Sequence, residues 1–220
     1  ANNTSVGATS LDANTTGGSN TAVGGASMTT NTTASNNTAM GYASLNLTTT
    51  GGNNVAIGAY SMQQCTTGIH NVAVGMYSLD ANTTANHNTA IGYDAAGANT
   101  TGTSNVAVGN YSLDANTTAS YNVAVGKGAL SANTTADDNT AVGFAALLAN
   151  TTGSENTAVG SNSADTTTTG IRNVAVGYNS LEANTTGSSN TALGRSALGS
   201  NTTADVNVAI GREALFANTT

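Results

Sequence analysis

The chain has 220 residues, with 11 Asp+Glu against 4 Lys+Arg, a formal net charge of −7, no Pro, no Trp and one Cys. Four basic side chains cannot displace counterions along a phosphate backbone, so no nucleic-acid partner is expected. The single Cys65 excludes a disulfide framework or a Cys-rich zinc module, and no apolar run approaches the ~20 residues of a spanning helix, so no membrane insertion is expected.

One repeat organises everything else. The string Asn-(Thr/Val)-Ala-aliphatic-Gly opens at Asn3, Asn20 and Asn37 and returns every 17 residues to Asn207, the first copy carrying Ser5 in place of Ala. Residues 1–220 therefore read as a single uninterrupted array of twelve complete units and a thirteenth that stops at Thr220, with no insertion anywhere. A unit this short fits one coil of a solenoid, since helical repeats need ~33 residues or more. The expected fold is all-β: a parallel β-solenoid, or β-roll, of thirteen 17-residue coils with two short strands each.

Numbering each unit from its opening Asn, positions 1–4 read as the first strand and the invariant Gly at position 5 as its turn. Positions 7–11 read as a second strand, typified by Tyr77–Ala81 and Tyr111–Ala115. Positions 12–17, Asn-Thr-Thr-(Gly/Ala)-x-x, read as the return loop. Strand alternation groups positions 2 and 4 on one face and position 3 on the other. The core is then expected at position 4 (Val23, Ile57, Val108, Val142, Val176) and position 9 (Leu45, Leu79, Leu113, Leu130, Leu181). The nearly constant Ala at position 3 reads either as contact with a second chain or as an inner site too tight for anything larger. Stacked at about 4.8 Å, the coils would make a rod of about 60 Å. One extra residue would turn a strand inside out, so the absence of insertions predicts in-register stacking.

The polar columns carry the candidate modification sites. Asn at position 1 is expected to form a stacked amide ladder. At position 12, Asn-Thr-Thr is also an N-glycosylation acceptor at Asn14, Asn31, Asn82, Asn99, Asn116, Asn133, Asn150, Asn184, Asn201 and Asn218. Further acceptors begin at Asn2, Asn3, Asn36, Asn46 and Asn110, and the Thr pairs suit O-linked sugars as well. A bare ladder is the alternative to glycans in the position-12 column.

Catalytic chemistry has little to stand on. His70 and His87 share position 17 in neighbouring units, so their rings are expected about 5 Å apart, without the third and fourth ligands a metal needs. Acids at position 10 (Asp12, Asp80, Asp114, Asp165, Glu182) read as a solvated face, Asp137-Asp138 as a lone loop pair, and Cys65 as an inert replacement of Asn. Tyrosines at positions 6 and 7 (Tyr42, Tyr60, Tyr77, Tyr93, Tyr111, Tyr178) read as a sparse strip protecting an edge, or one that stacks on sugars or a neighbouring chain. No catalytic, metal or cofactor-binding residue is expected, and the chain is not expected to be an enzyme.

The Asn-Thr-Ala-Val-Gly and Asn-Val-Ala-Val-Gly strings resemble the Val-Ala-Ile-Gly repeat of trimeric autotransporter adhesin heads. They are also similar to the Asn-Thr-Ala-Ile-Gly-Tyr-x-Ala-Leu repeats of phage tail-fibre and surface proteins, most closely at Asn88–Ala96 and Asn173–Leu181. The resemblance implies a left-handed β-roll, usually trimeric, serving as a spacer or adhesive rod on a cell or virion surface. This chain departs in its strict 17-residue unit, which is longer than the adhesin-head unit. The expectation is a non-enzymatic extracellular structural or adhesive fibre, self-associated end to end or as a trimer, with covalent glycans or surface carbohydrate as further partners. The alternatives are an ice- or surface-binding solenoid and a tail-fibre shaft segment.

Overall fold

The computed structural model describes residues 2–219. Thirteen three-residue strands, from β1 (Thr4–Val6) to β13 (Val208–Ile210), form one parallel sheet in strict sequence order. Each strand occupies positions 2–4 of its unit, and each pairs with the next at the same positions, as Val72 with Thr89 and Ala73 with Ala90. The chain is a β-solenoid in which every coil lies directly on the last. Backbone pairing continues outside the sheet, for example from Leu79 N–H to Ala95 C=O at 3.0 Å and from Thr83 N–H to Thr100 C=O at 3.1 Å.

A coil contains one strand, not two. The segment at positions 7–11 is a chain of turns, because positions 7 and 9 hold left-handed backbone in every unit; Tyr77 has φ 60° and Leu79 φ 49°. A strand cannot contain such residues. Their conformation sends Tyr77 N–H back to Ala59 C=O (3.2 Å) and Leu79 N–H forward to Ala95 C=O (3.0 Å), so one short segment bonds both neighbouring coils. This coil-to-coil bonding offsets the cost of left-handed non-glycine residues.

The core is also the reverse of the expected one on the strand. Ala at position 3 points inward and is fully buried from Ala22 to Ala192, while position 4 faces out, Ile57 being 38% exposed and Val176 37%. Val23, Ile57, Val108, Val142 and Val176 are therefore not core residues. The Leu prediction at position 9 holds: Leu45, Leu79, Leu113, Leu130 and Leu181 are all fully buried and pack against the Ala column. A 17-residue coil encloses room for one large side chain per turn, and position 9 supplies it. The small residues at positions 3, 8 and 15 let the walls approach across that narrow interior, which answers why position 3 stays Ala.

Amides complete the interior. Asn at position 1 donates from Nδ2 to the position-15 carbonyl of its own coil in eleven units, as Asn88 does to Gly102 at 2.8 Å. Its Oδ1 accepts the backbone N–H of the next position-1 Asn, as Asn88 Oδ1 does from Asn105 at 2.9 Å. One side chain thus closes its own coil and ties it to the following one. At the edge of this interior the position-13 threonines donate in an unbroken column, each hydroxyl to the next coil's position-13 carbonyl, as Thr100 to Thr117 at 2.9 Å.

Candidate interaction surfaces

The sheet's outer face is built from positions 2 and 4. Across the thirteen strands these positions carry only Thr, Val, Ile, Leu and Met, so the face is uncharged and partly aliphatic along the rod. Met40, Ile57, Ile91 and Leu193 are among its exposed members. In ordinary soluble chains a sheet face exposed to water carries polar and charged residues alternating with the buried ones. Here the outward residues would suit a core, and the inward ones are Ala.

The position-12 column lies on the opposite footing. Asn31, Asn82, Asn99, Asn116, Asn133, Asn150, Asn184 and Asn201 are buried inside the coil. Their Nδ2 atoms are committed to protein acceptors: Asn116 donates to Asn99 Oδ1 at 2.8 Å and to Ala119 C=O at 3.0 Å. A glycan on such a nitrogen has no space and would remove these bonds. The reading of these eight as glycan carriers in the folded rod is therefore corrected, and the ladder alternative accounts for them. Asn14 and Asn218 sit in the first and last coils and are less enclosed, yet Asn218 still donates to Asn201 Oδ1 at 3.2 Å. Of the remaining acceptors, Asn2, Asn36 and Asn110 are exposed, and Asn3 and Asn46 half-buried. The exposed hydroxyl column is position 14, where Thr33, Thr67, Thr101, Thr135, Thr169 and Thr203 all face water.

Cys65 takes a place in the same amide column. Its buried thiol donates to Gly68 C=O at 3.7 Å and accepts from Asn82 Nδ2 at 3.8 Å. Burial pushes the thiol up to about 11, so it stays protonated and unreactive at neutral pH. His70 and His87 stack with ring centroids 5.1 Å apart and planes 4° from parallel, as their shared register predicts.

The tyrosines are not sparse. Tyr42, Tyr60, Tyr77, Tyr93 and Tyr111 fall in five consecutive coils and touch in sequence, with centroid separations of 5.4, 5.3, 6.1 and 5.3 Å. Stacking positions 6 and 7 across coils makes the strip a continuous aromatic ladder over these five coils. Farther along, in the same column, Arg195 lies over the Tyr178 ring at 5.8 Å.

The acids, too, meet across columns. Position-10 side chains reach back to the position-7 carbonyl of the preceding coil: Thr29 donates to Thr9 C=O at 3.1 Å and Asn46 to Ala26 C=O at 2.8 Å. Asp80, Asp114 and Asp165 occupy this position with a side chain that cannot donate when ionised, and each has a buried, unpartnered Oδ1. Asp94, at position 7 of the intervening coil, falls between Asp80 and Asp114. Burial, with the Asp94 charge beside it, raises Asp80 above the usual carboxylate range. Burial and Asp114 do the same to Asp94, and burial and Glu182 to Asp165.

Groups whose folded pKa is raised contribute stability that is fully present below the unfolded value and lost as pH rises through the folded one. Lowering the pH from neutral toward the carboxylate range, about 4, is therefore expected to raise the melting temperature. Asp80→Asn restores a donor at the position Asn46 fills, and is expected to stabilise the rod at pH 7 by about 1 kcal/mol. In Asp80→Asn/Asp94→Asn/Asp165→Asn the rise on acidification should largely disappear. Thermal unfolding followed at several pH values reads both effects.

No family model matches the chain, and neither curated proteins nor solved structures include a match to it.

Proposed function

We propose that this chain is a non-enzymatic structural rod of an extracellular fibre on a cell or virion surface, whose coils serve as spacer and whose outer sheet face joins it to other copies. The observation that carries the reading is that face: thirteen strands deep, uncharged, and lined by residues of core type on the outside of an in-register solenoid. A rod of about 60 Å with a three-residue strand of about 10 Å presents about 600 Å². Two such faces together bury about 1,200 Å², the lower end of a stable interface. The described surface holds no cavity of the kind that houses a substrate, and its regular columns suit mechanical spacing. Sugars, where attached, would sit on the exposed position-14 hydroxyls, which have free space around them, and not on the buried position-12 amides.

Sedimentation velocity combined with negative-stain microscopy tests the association. The wild-type chain is expected to form dimers, trimers or laterally paired rods at micromolar concentration. Ile57→Lys/Ile91→Lys/Val125→Lys, which charges the outward position alone, should leave single rods of unchanged circular dichroism. Single rods from the wild-type chain would sink the proposal of lateral association.

A second reading, binding to ice or another ordered surface, is favoured by the evenly stacked strands of the same face, which carry Thr or Val at position 2, with Thr in strands such as Thr89–Ile91 and Thr157–Val159. Thermal hysteresis in a freezing assay, abolished by the same three Lys substitutions, would support it over lateral pairing.

A further inference from the structure

The aromatic ladder and the acids beside it lie in the same half of the rod. Residues 3–121, which form the first seven coils, contain no Lys or Arg, and all four basic residues (Lys127, Arg172, Arg195 and Arg212) lie beyond them. The five contiguous rings run through coils 3 to 7 and stand at least partly in water, Tyr42 being 57% exposed and Tyr111 41%. Tyr60 and Tyr77 stack with planes 9° apart, while Tyr42, Tyr93 and Tyr111 meet their neighbours at 76°, 87° and 73°. The two end rings, Tyr42 and Tyr111, are the most exposed of the five, and the three between them are half-buried.

The carboxylates run alongside. Position-10 side chains lie against the position-7 backbone of the coil before, so Asp80 sits by the row that carries Tyr60, and Asp114 by Asp94 and the row of Tyr111. The three acids face one another's negative charge with no neighbouring cation to offset it, since both ion pairs of the described residues, Arg172–Glu155 and Arg212–Glu213, lie in the later coils.

We infer that the strip from Tyr42 to Tyr111, with Asp80, Asp94 and Asp114 along its side, is a docking surface for an extended cationic peptide segment rich in arginine. The chemistry is complementary on both counts. A guanidinium lies flat on an aromatic face and is drawn to its negative quadrupole, and the carboxylates offer it charge-assisted acceptors. The protein already makes this contact once with its own residues in the same column, where Arg195 covers Tyr178. Successive coils repeat the aromatic and acidic groups at about 4.8 Å, so a partner lying along the rod engages several at once. Arginine suits the strip better than a neutral sugar, because clustered carboxylates with no cation beside them gain more from a positive charge than from hydroxyls.

The test uses the whole chain and a hexa-arginine peptide, titrated by isothermal calorimetry at low ionic strength, with a neutral oligosaccharide and hexa-glutamate as companion probes. Two variants separate the contributions without disturbing the coil. Tyr60→Ala/Tyr77→Ala places at position 7 the residue that Ala26, Ala43 and Ala145 already hold there. Asp80→Asn/Asp94→Asn/Asp114→Asn uses Asn, which position 10 holds at Asn46 and position 7 at Asn162 and Asn179. Hexa-arginine is expected to bind the wild-type chain, and each variant is expected to weaken it about tenfold. Added salt should reduce the wild-type affinity and have much less effect on the Asn variant. Equal affinity for the wild-type chain and both variants would overturn the inference, as would a failure of hexa-arginine to bind or a preference for the oligosaccharide.

Discussion

Replacing Gly109 by Ala is expected to destabilise the rod by at least about 3 kcal/mol. The residue stands at φ 136°, where a side chain is strained whatever the space around it. Space is also lacking: an added Cβ would fall 2.6 Å from both the carbonyl carbon and the oxygen of Gly126 in the next coil, with Lys127 N at 3.0 Å. These are backbone atoms held by the coil-to-coil bonds, Gly126 N–H donating to Val108 C=O at 2.7 Å, so neither side can yield without opening the stack. Because each coil of a solenoid touches only its neighbours, a defect in the middle weakens two interfaces and leaves the flanking arrays intact. Urea unfolding should therefore show a lower midpoint and a shallower or divided transition. Gly25→Ala is the control: its Cβ would make ordinary contacts, with the Tyr42 ring at 3.5 Å and the Ala8 carbonyl oxygen at 4.0 Å, and the variant should be neutral or slightly more stable.

The second large effect is expected from Asn122→Leu, a change of hydrogen-bonding capacity at similar volume. Asn122 is fully buried. Its Nδ2 donates to Ala136 C=O at 3.0 Å and to Ser120 C=O at 3.2 Å, and its Oδ1 accepts the Asn139 N–H at 3.0 Å. Leucine leaves that N–H without its side-chain acceptor and weakens the closure of the coil at Ala136. Unmaking buried bonds of this kind costs about 1–3 kcal/mol each, so a loss of about 2–5 kcal/mol is expected. The signature that distinguishes this from a packing defect is local. The Asn139 amide should exchange with solvent far faster in the variant, while amides several coils away keep their protection. Uniform loss of protection along the whole rod would instead mean that the column does not act through neighbouring coils.

Both predictions concern positions that the sequence makes conspicuous, for reasons it does not state. Gly at position 5 repeats without exception and reads correctly as a turn, yet the need for it comes as much from the next coil's backbone as from its own φ. Asn at position 1 reads correctly as a ladder, but its second duty, closing its own coil onto position 15, joins residues fourteen apart in sequence and shows only when the coil is shut. The surface followed the same rule. The tyrosine strip and the position-10 acids were legible, whereas the ring-to-ring contacts and the place of Asp94 beside Asp80 and Asp114 arise because neighbouring columns interleave across coils. The strip over positions 6 and 7 is dense and not sparse because tyrosines occur there in five successive units.

What the sequence by itself determined is the period, the register and the parallel order. Thirteen units without an insertion leave one way to stack that keeps like on like, and the strands pair accordingly. It also identified the Leu column, because one large apolar residue per unit must go inside. Only the tertiary structure decided which side of the strand faces in. Alternation separates Ala from Val and Ile but is silent on polarity, and the usual preference for burying the larger side chain points the wrong way here. A 17-residue coil is too narrow to hold an aliphatic at position 4 as well as Leu at position 9, so Ala turns inward and the aliphatics go out. The second strand failed for a related reason: closing so small a loop requires left-handed residues at positions 7 and 9, which no propensity of Tyr or Leu announces. The position-12 Asn, a surface acceptor by its motif, was drawn inside because the carbonyls of a tightly turned loop need donors, and its amide provides them.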